Sequence, residues 1–173
     1  MLLLTRPIGT GVLFAAAMAG VAKPQWIDAA LETMQQSQAP LVELLQHYGC
    51  SACTDITGFG LLGHLGEMLG AGQEVELDPG AIPALAGART LLEQGQASTL
   101  APSNARALAQ LDPGGGVRLS APASAVDQQL WIDPQTCGPL LAALPASRAE
   151  AALEHLGQLG FAQAAVIARV LIA

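Results

Sequence analysis

Apolar positions recur along this chain at two spacings, and the switches between them divide it into elements. Leu2 to Thr5 is a short apolar run that predicts a buried strand, ended by Pro7 and the turn Gly9-Thr10-Gly11. A helix follows from about Val12 to Gly20. Pro24 suits a first helical position, and Ile27, Ala30, Leu31 and Met34 hold helical spacing through Gln25 to Gln36. Pro40 opens a second amphipathic helix through Leu41, Leu44, Leu45 and Tyr48, stopped by Gly49. Glu74 to Asp78 alternates strictly, so its three acids fall opposite Val75 and Leu77, on the solvated face of a half-exposed strand. Beyond the Pro79-Gly80 turn, Ile82 to Gln94 predicts one or two helical pieces, and Ser98 to Leu111 a loop that becomes helical at Asn104 or beyond. Asp112 to Gly116 predicts a loop or hairpin connection; it lacks the following helix that a phosphate cradle needs. Strands are predicted at Val117 to Ser120, Gln129 to Asp133, Leu140 to Leu144 and Ala164 to Ile172, and a helix at Arg148 to Gly157. Strands interleaved with helices, with antiparallel-looking neighbours, predict an α+β fold: one domain over residues 1–173 with a mixed β-sheet covered by α-helices.

The stretch Cys53 to Glu67 carries the most chemistry. Small and β-branched residues lead through Asp55 and the glycines Gly58 and Gly60 into helical spacing at Leu61, Leu62, Leu65, Met68 and Leu69. Strand, glycine turn and helix place Asp55 at a strand end, with Gly58 and Gly60 ahead of a helix N-terminus whose N–H groups lack intrahelical partners. A hard cation with a phosphate attached suits such a corner. The plainer reading is a strand-end carboxylate that only caps its turn. His64 and Glu67 stand three apart on neighbouring helix faces, so His64 could meet phosphate or Glu67 a metal; a packed structural histidine is the alternative. Gly63 and Gly66, each costing about 1 kcal/mol in a helix relative to Ala, predict close packing. Gly9-Thr10-Gly11 admits either an anion cradle or plain turn geometry.

Composition narrows the classes. Charged residues make up 12% of the chain and the net charge is −7, where an ordinary domain has about 25% charged residues. One lysine and scattered arginines provide no basic stripe, which argues against a nucleic-acid surface. Any ATP bound here would need metal ions to offset its charge. Cys50 and Cys53 have the spacing of a half zinc site or redox pair, but no second ligand pair accompanies them, so reduced thiols in a cytoplasmic protein are expected. Met1 to Ala22 has the outline of a signal peptide, yet Pro7, Gly9 and Gly11 interrupt it and no apolar run approaches a membrane span.

Ala52 to His64 closely resembles the signature of the second domain of selenophosphate synthetase, also called selenide, water dikinase. Leu4 to Gly11 is similar to the segment opening that domain, Ala97 to Asn104 to its middle loop, and Asp133 to Leu141 to its late Asp-Pro-Gln-Thr-Ser-Gly-Gly element. Cys137-Gly138-Pro139 departs from that last pattern, and the proline removes an N–H donor.

The resemblance implies the C-terminal domain type shared with aminoimidazole ribonucleotide synthetase, and covers only the family's second half. The ATP-binding, catalytic N-terminal domain is therefore expected as a partner absent from this sequence, with no catalytic residue in this chain and little activity from it alone. The complete enzyme would use ATP, selenide and water to make selenophosphate, AMP and phosphate with Mg²⁺. Asp55 matches the family's metal-binding aspartate; Thr54, Thr57, Gly58, Gly60, His64 and Thr136 are candidate ligand-lining residues, and Ser98, Thr99 and Asn104 candidate lining of the face toward the first domain. Two alternatives stay open: a non-catalytic interaction or remnant domain, and part of a related ATP-dependent synthetase with another substrate.

Overall fold

A computed structural model describes residues 1–70, 72–111 and 116–171. Six strands form one mixed sheet: β1 (Leu2–Leu4), β2 (Ala52–Asp55), β3 (Glu74–Leu77), β4 (Val117–Leu119), β5 (Leu140–Ala143) and β6 (Ala165–Leu171). Their order across the sheet is β2-β5-β1-β6-β3-β4. Every pairing is antiparallel except β3 with β4, where the chain makes the long crossover that parallel strands require. The helices among the described residues are α1 (Thr10–Met18), α2 (Pro24–Gln35), α3 (Ala39–His47), α4 (Gly60–Met68), α5 (Ala88–Glu93), α6 (Ala101–Leu111), α7 (Ala125–Trp131) and α8 (Ala146–Gln158). This is the expected α+β class.

Strand periodicity divides the core between the two faces of the sheet. Leu2, Leu4 and Leu141 join Val12, Leu13, Ile56, Leu61, Leu65, Leu91, Leu130 and Trp131 in the larger cluster. Their neighbours Leu3 and Ala142 point the other way, into a smaller cluster with Leu41, Leu44, Leu45, Leu156 and Phe161. Burying each of these leucines contributes roughly 1.5–3 kcal/mol, so both layers are needed to hold the central strands. None of the described helices is long and apolar enough to cross a membrane.

Two elements differ from the sequence reading. Gln129 to Asp133, expected as a strand, is the end of α7 and the turn after it. Ser124 caps that helix, its hydroxyl accepting the Asp127 N–H at 3.0 Å, and Leu130 and Trp131 turn into the core. The apolar run Leu130-Trp131-Ile132 is too short for its period to separate strand from helix, and the cap decides it. Helix α6 begins at Ala101 rather than Asn104. The Ser98 hydroxyl accepts from the Leu100 N–H at 3.3 Å and the Ser98 carbonyl from that of Ala101 at 3.1 Å, closing the first turn early. Of the connection expected at 112–116, residues 112–115 lie outside the described residues.

Candidate functional site

Asp55 ends β2, which pairs only with β5, so the strand forms one edge of the sheet. Asp55 lies opposite Leu140 and is exposed, with no hydrogen-bond or ion-pair partner for its carboxylate among the described residues. Thr54 is half-buried one position earlier, opposite Leu141. The chain then dives inward at the fully buried Ile56 and turns through Thr57, Gly58 and Phe59 into α4.

The two glycines of this turn have different causes. A Cβ on Gly58 would meet nothing within 4 Å, so this position lies open. Gly60 has a packing reason of its own: it is buried with φ +70°, and a Cβ there would stand 2.7–2.9 Å from the backbone of residues 131–133. Its missing side chain serves the end of α7. Asn104 acts as an anchor. It is buried, and its Nδ2 donates to the carbonyls of Gly58 at 2.7 Å and Ile132 at 2.9 Å, tying α6, the turn and α7 together.

His64 is buried on α4 with both ring nitrogens engaged: Nε2 lies 3.0 Å from Thr57 Oγ1 and Nδ1 3.0 Å from Glu67 Oε2. Both ring nitrogens are thus taken up within the turn and its helix. Glu67 keeps 45% of its side chain exposed.

The loop Asp133 to Pro139 runs beside this turn. The Gln135 N–H donates to the Thr57 carbonyl and the Ile56 N–H to the Pro139 carbonyl, each at 2.9 Å. A Cβ on Gly138 would stand 2.0 Å from the Ile56 carbonyl oxygen, so only glycine lets the two strands approach. Cys137 takes a left-handed φ of 49°, and Pro139 enters β5 buried, using its carbonyl where it has no N–H to give.

The turn Gly9-Thr10-Gly11 is filled from within the protein. Gln135 Oε1 accepts from the N–H groups of Gly9 at 2.8 Å and Thr10 at 3.1 Å, and Asp133 Oδ2 accepts from that of Val12 at 3.0 Å. A side-chain amide and a carboxylate thus occupy the place of an anion at the start of α1. Burial pushes the Asp133 carboxyl up to about 7, against the hydrogen bonds from Val12 and Gln135. Thr136, exposed, donates its N–H to Thr10 Oγ1 at 2.9 Å. With Thr10, Ser98 and Thr99 it lines a separate groove of about 430 Å³ whose floor is mostly apolar.

Arg6 escaped the sequence reading. It is buried, donates from Nη1 to the carbonyls of Thr33 at 2.6 Å and Gln36 at 3.1 Å, and from Nη2 to those of Gly138 at 3.0 Å and Cys137. Burial lowers the affinity of its guanidinium for its proton. One buried cation thereby ties α2 to the loop beside Asp55, a role no local pattern announces.

The cysteines are free thiols, and burial together with the facing Cys50 pushes the Cys53 thiol up to about 11. Among the described residues no three His, Cys, Asp or Glu side chains converge as a metal site. Asp55, with both oxygens unspent, fits a hard cation as one oxygen donor among others supplied from outside this chain.

Sheet topology, covering helices and the joined loops at 55–60 and 133–139 define an α+β domain class with a mixed sheet. The chain belongs to the family described as AIR synthase related protein, C-terminal domain, which it matches over residues 1–171. Within it, the chain is 37% identical over 170 residues to a selenide, water dikinase of Desulfitobacterium hafniense and 36% identical over 158 residues to that of Treponema denticola. These matches cover 98% and 91% of this chain but 48% and 43% of the relatives, so the chain spans about half the length of the curated relatives it matches. They support the resemblance to the C-terminal domain of selenophosphate synthetase. Among solved structures, hydrogenase maturation protein HypE in complex with ATP superposes with a TM-score of 0.62 at 19% identity, over 98% of this chain and 41% of HypE. A HypE–HypF complex gives 0.60 at 15%, over 100% of this chain and 47% of the other. At such identities the likeness is one of fold.

Proposed function

We propose that this chain is the second-domain half of a selenophosphate synthetase. It completes, with an N-terminal ATP-binding domain, a composite site that converts ATP, selenide and water into selenophosphate, AMP and phosphate. The carrying observation is the exposed carboxylate of Asp55, without a hydrogen-bond or ion-pair partner among the described residues, at the end of an edge strand and inside the stretch Thr54 to His64 that resembles the family signature. The names of the relatives and the fold likeness to an ATP-bound protein support the same reading.

In this reading Asp55 offers oxygen to Mg²⁺ shared with ATP. Magnesium, when bound, supplies neutralisation of the charge carried by the transferring phosphates. Thr54, Thr57 and the open Gly58 form the rim around that carboxylate. Gly60, Asn104, Gly138 and Arg6 hold the rim in place from behind, and Thr136 belongs to the neighbouring groove. The protein works in the cytoplasm, with no nucleic-acid or membrane partner.

The test is reconstitution. The purified chain is mixed with the N-terminal domain of a selenide, water dikinase, and selenide-dependent release of AMP and phosphate from ATP is measured. Turnover that needs both parts and is lost in Asp55→Asn is the expected result. A well-folded chain that docks to its partner without turnover would instead favour the non-catalytic interaction domain.

A further inference from the structure

The Thr57–His64–Glu67 chain has a direction. An ionised Glu67 carboxylate can only accept, so in the neutral form of the His64 ring the proton resides on Nδ1, 3.0 Å from Glu67 Oε2. Nε2 is left with a lone pair, and the hydroxyl 3.0 Å away must donate to it. Thr57 Oγ1 has then spent its only proton inward and keeps only lone pairs for anything outside. From this geometry we infer that Thr57, His64 and Glu67 form a positioning relay that presents the Thr57 oxygen as a fixed acceptor at the rim of the Asp55 turn. The ligand group it suits is a donor: a water of a hydrated cation or a hydroxyl, and not a bare phosphate oxygen.

Three features support a relay over simple packing. His64 is buried and its two partners lie at either end of one helix turn and its lead-in, so the ring cannot swing without losing both bonds. The Phe59 ring lies against it, tilted, at 5.9 Å between centroids. The turn itself is pinned through the Thr57 carbonyl, which accepts the N–H groups of Gly60 at 3.1 Å and Gln135 at 2.9 Å. The backbone of Thr57 is thus held independently, and the relay has only the hydroxyl left to orient. His64 and Glu67 are positioning residues that act through Thr57.

The inference rests on the proposed composite site for its purpose, though its geometry can be tested without it. In the isolated chain, long-range nitrogen–proton NMR of the neutral His64 ring is expected to show the proton on Nδ1, and Glu67→Ala to abolish that preference. A proton on Nε2, or a spectrum indifferent to Glu67→Ala, overturns the relay whatever the reaction is. In the reconstituted enzyme, Thr57→Val and Glu67→Ala are expected to lower kcat by about ten- to a hundredfold with a smaller change in KM for ATP. Thr57→Ser restores turnover. Loss in Asp55→Asn with full activity in Thr57→Val overturns the relay's role but leaves the composite site standing. Reconstitution that is silent for the unaltered chain, with the NMR result as expected, overturns the proposed reaction and leaves the relay geometry standing.

Discussion

Gln135 accepts the backbone N–H of Gly9 through Oε1 at 2.8 Å, across 126 residues of sequence. The same oxygen takes the Thr10 N–H and hydroxyl, and Nε2 donates to the Asp133 carbonyl at 2.9 Å and to its Oδ2 at 3.1 Å. A buried amide satisfied on both sides is the cap that α1 does not find locally, for Gly9 brings no side chain of its own. Gln135→Leu leaves those N–H groups buried without acceptors. A stability loss of about 2–3 kcal/mol is expected, read by chemical denaturation of the isolated chain.

Asp133 makes that cap pH-sensitive. Its carboxyl is raised by burial from an ordinary 3.8 to about 7. Between those values the folded state keeps a proton that the unfolded chain releases, so this group's contribution favours folding at low pH and is lost as pH rises toward 7, then stays level. At about 1.4 kcal/mol per pKa unit the loss is on the order of 4 kcal/mol. Asp133→Asn is expected to flatten this part of the stability profile, measured by urea unfolding from pH 4 to 8.

Gly138 and Gly58 form a matched pair. Gly138→Ala drives a Cβ into the Ile56 carbonyl at 2.0 Å and should cost about 3 kcal/mol or prevent folding. Gly58→Ala meets open space, and its thermal unfolding should stay within about 0.5 kcal/mol of the unaltered chain. A functional loss in Gly58→Ala with that stability intact would mark the position as one where a ligand comes close.

Arg6→Met removes four carbonyl contacts and a buried charge together. Stranded carbonyls of Thr33, Gln36, Cys137 and Gly138 should cost about 2–4 kcal/mol, and faster amide exchange should appear at the Ile56 N–H through the loosened Pro139 contact.

Asp55→Asn tests the opposite expectation. The carboxylate has no hydrogen-bond or ion-pair partner among the described residues, so unfolding should shift by less than about 0.5 kcal/mol while turnover with an added first domain disappears.

Much of the fold is legible along the chain because it depends on local period. The Leu2 run, the alternation from Glu74, the spacing of Leu41, Leu44 and Leu45, and the switch at Asp55 into α4 each mark the element found there. The short run Leu130 to Ile132 is ambiguous for the same reason: three residues do not establish a period. The pattern Thr54 to His64 singles out the turn where an exposed Asp55 and the buried His64 meet, and the family match covers it.

What each residue of the pattern does was decided only by tertiary structure. Gly58 and Gly60 are equivalent on the page, yet one faces open space and the other the backbone of α7. Gly9-Thr10-Gly11 has the outline of an anion cradle, and Gln135 and Asp133 fill it from the far end of the chain. Arg6, Asn104 and Gln135 reach partners 27 to 132 residues away. Spacing encodes neighbours on one helix or strand; it carries no information about which carbonyl a folded sheet will bring within 3 Å.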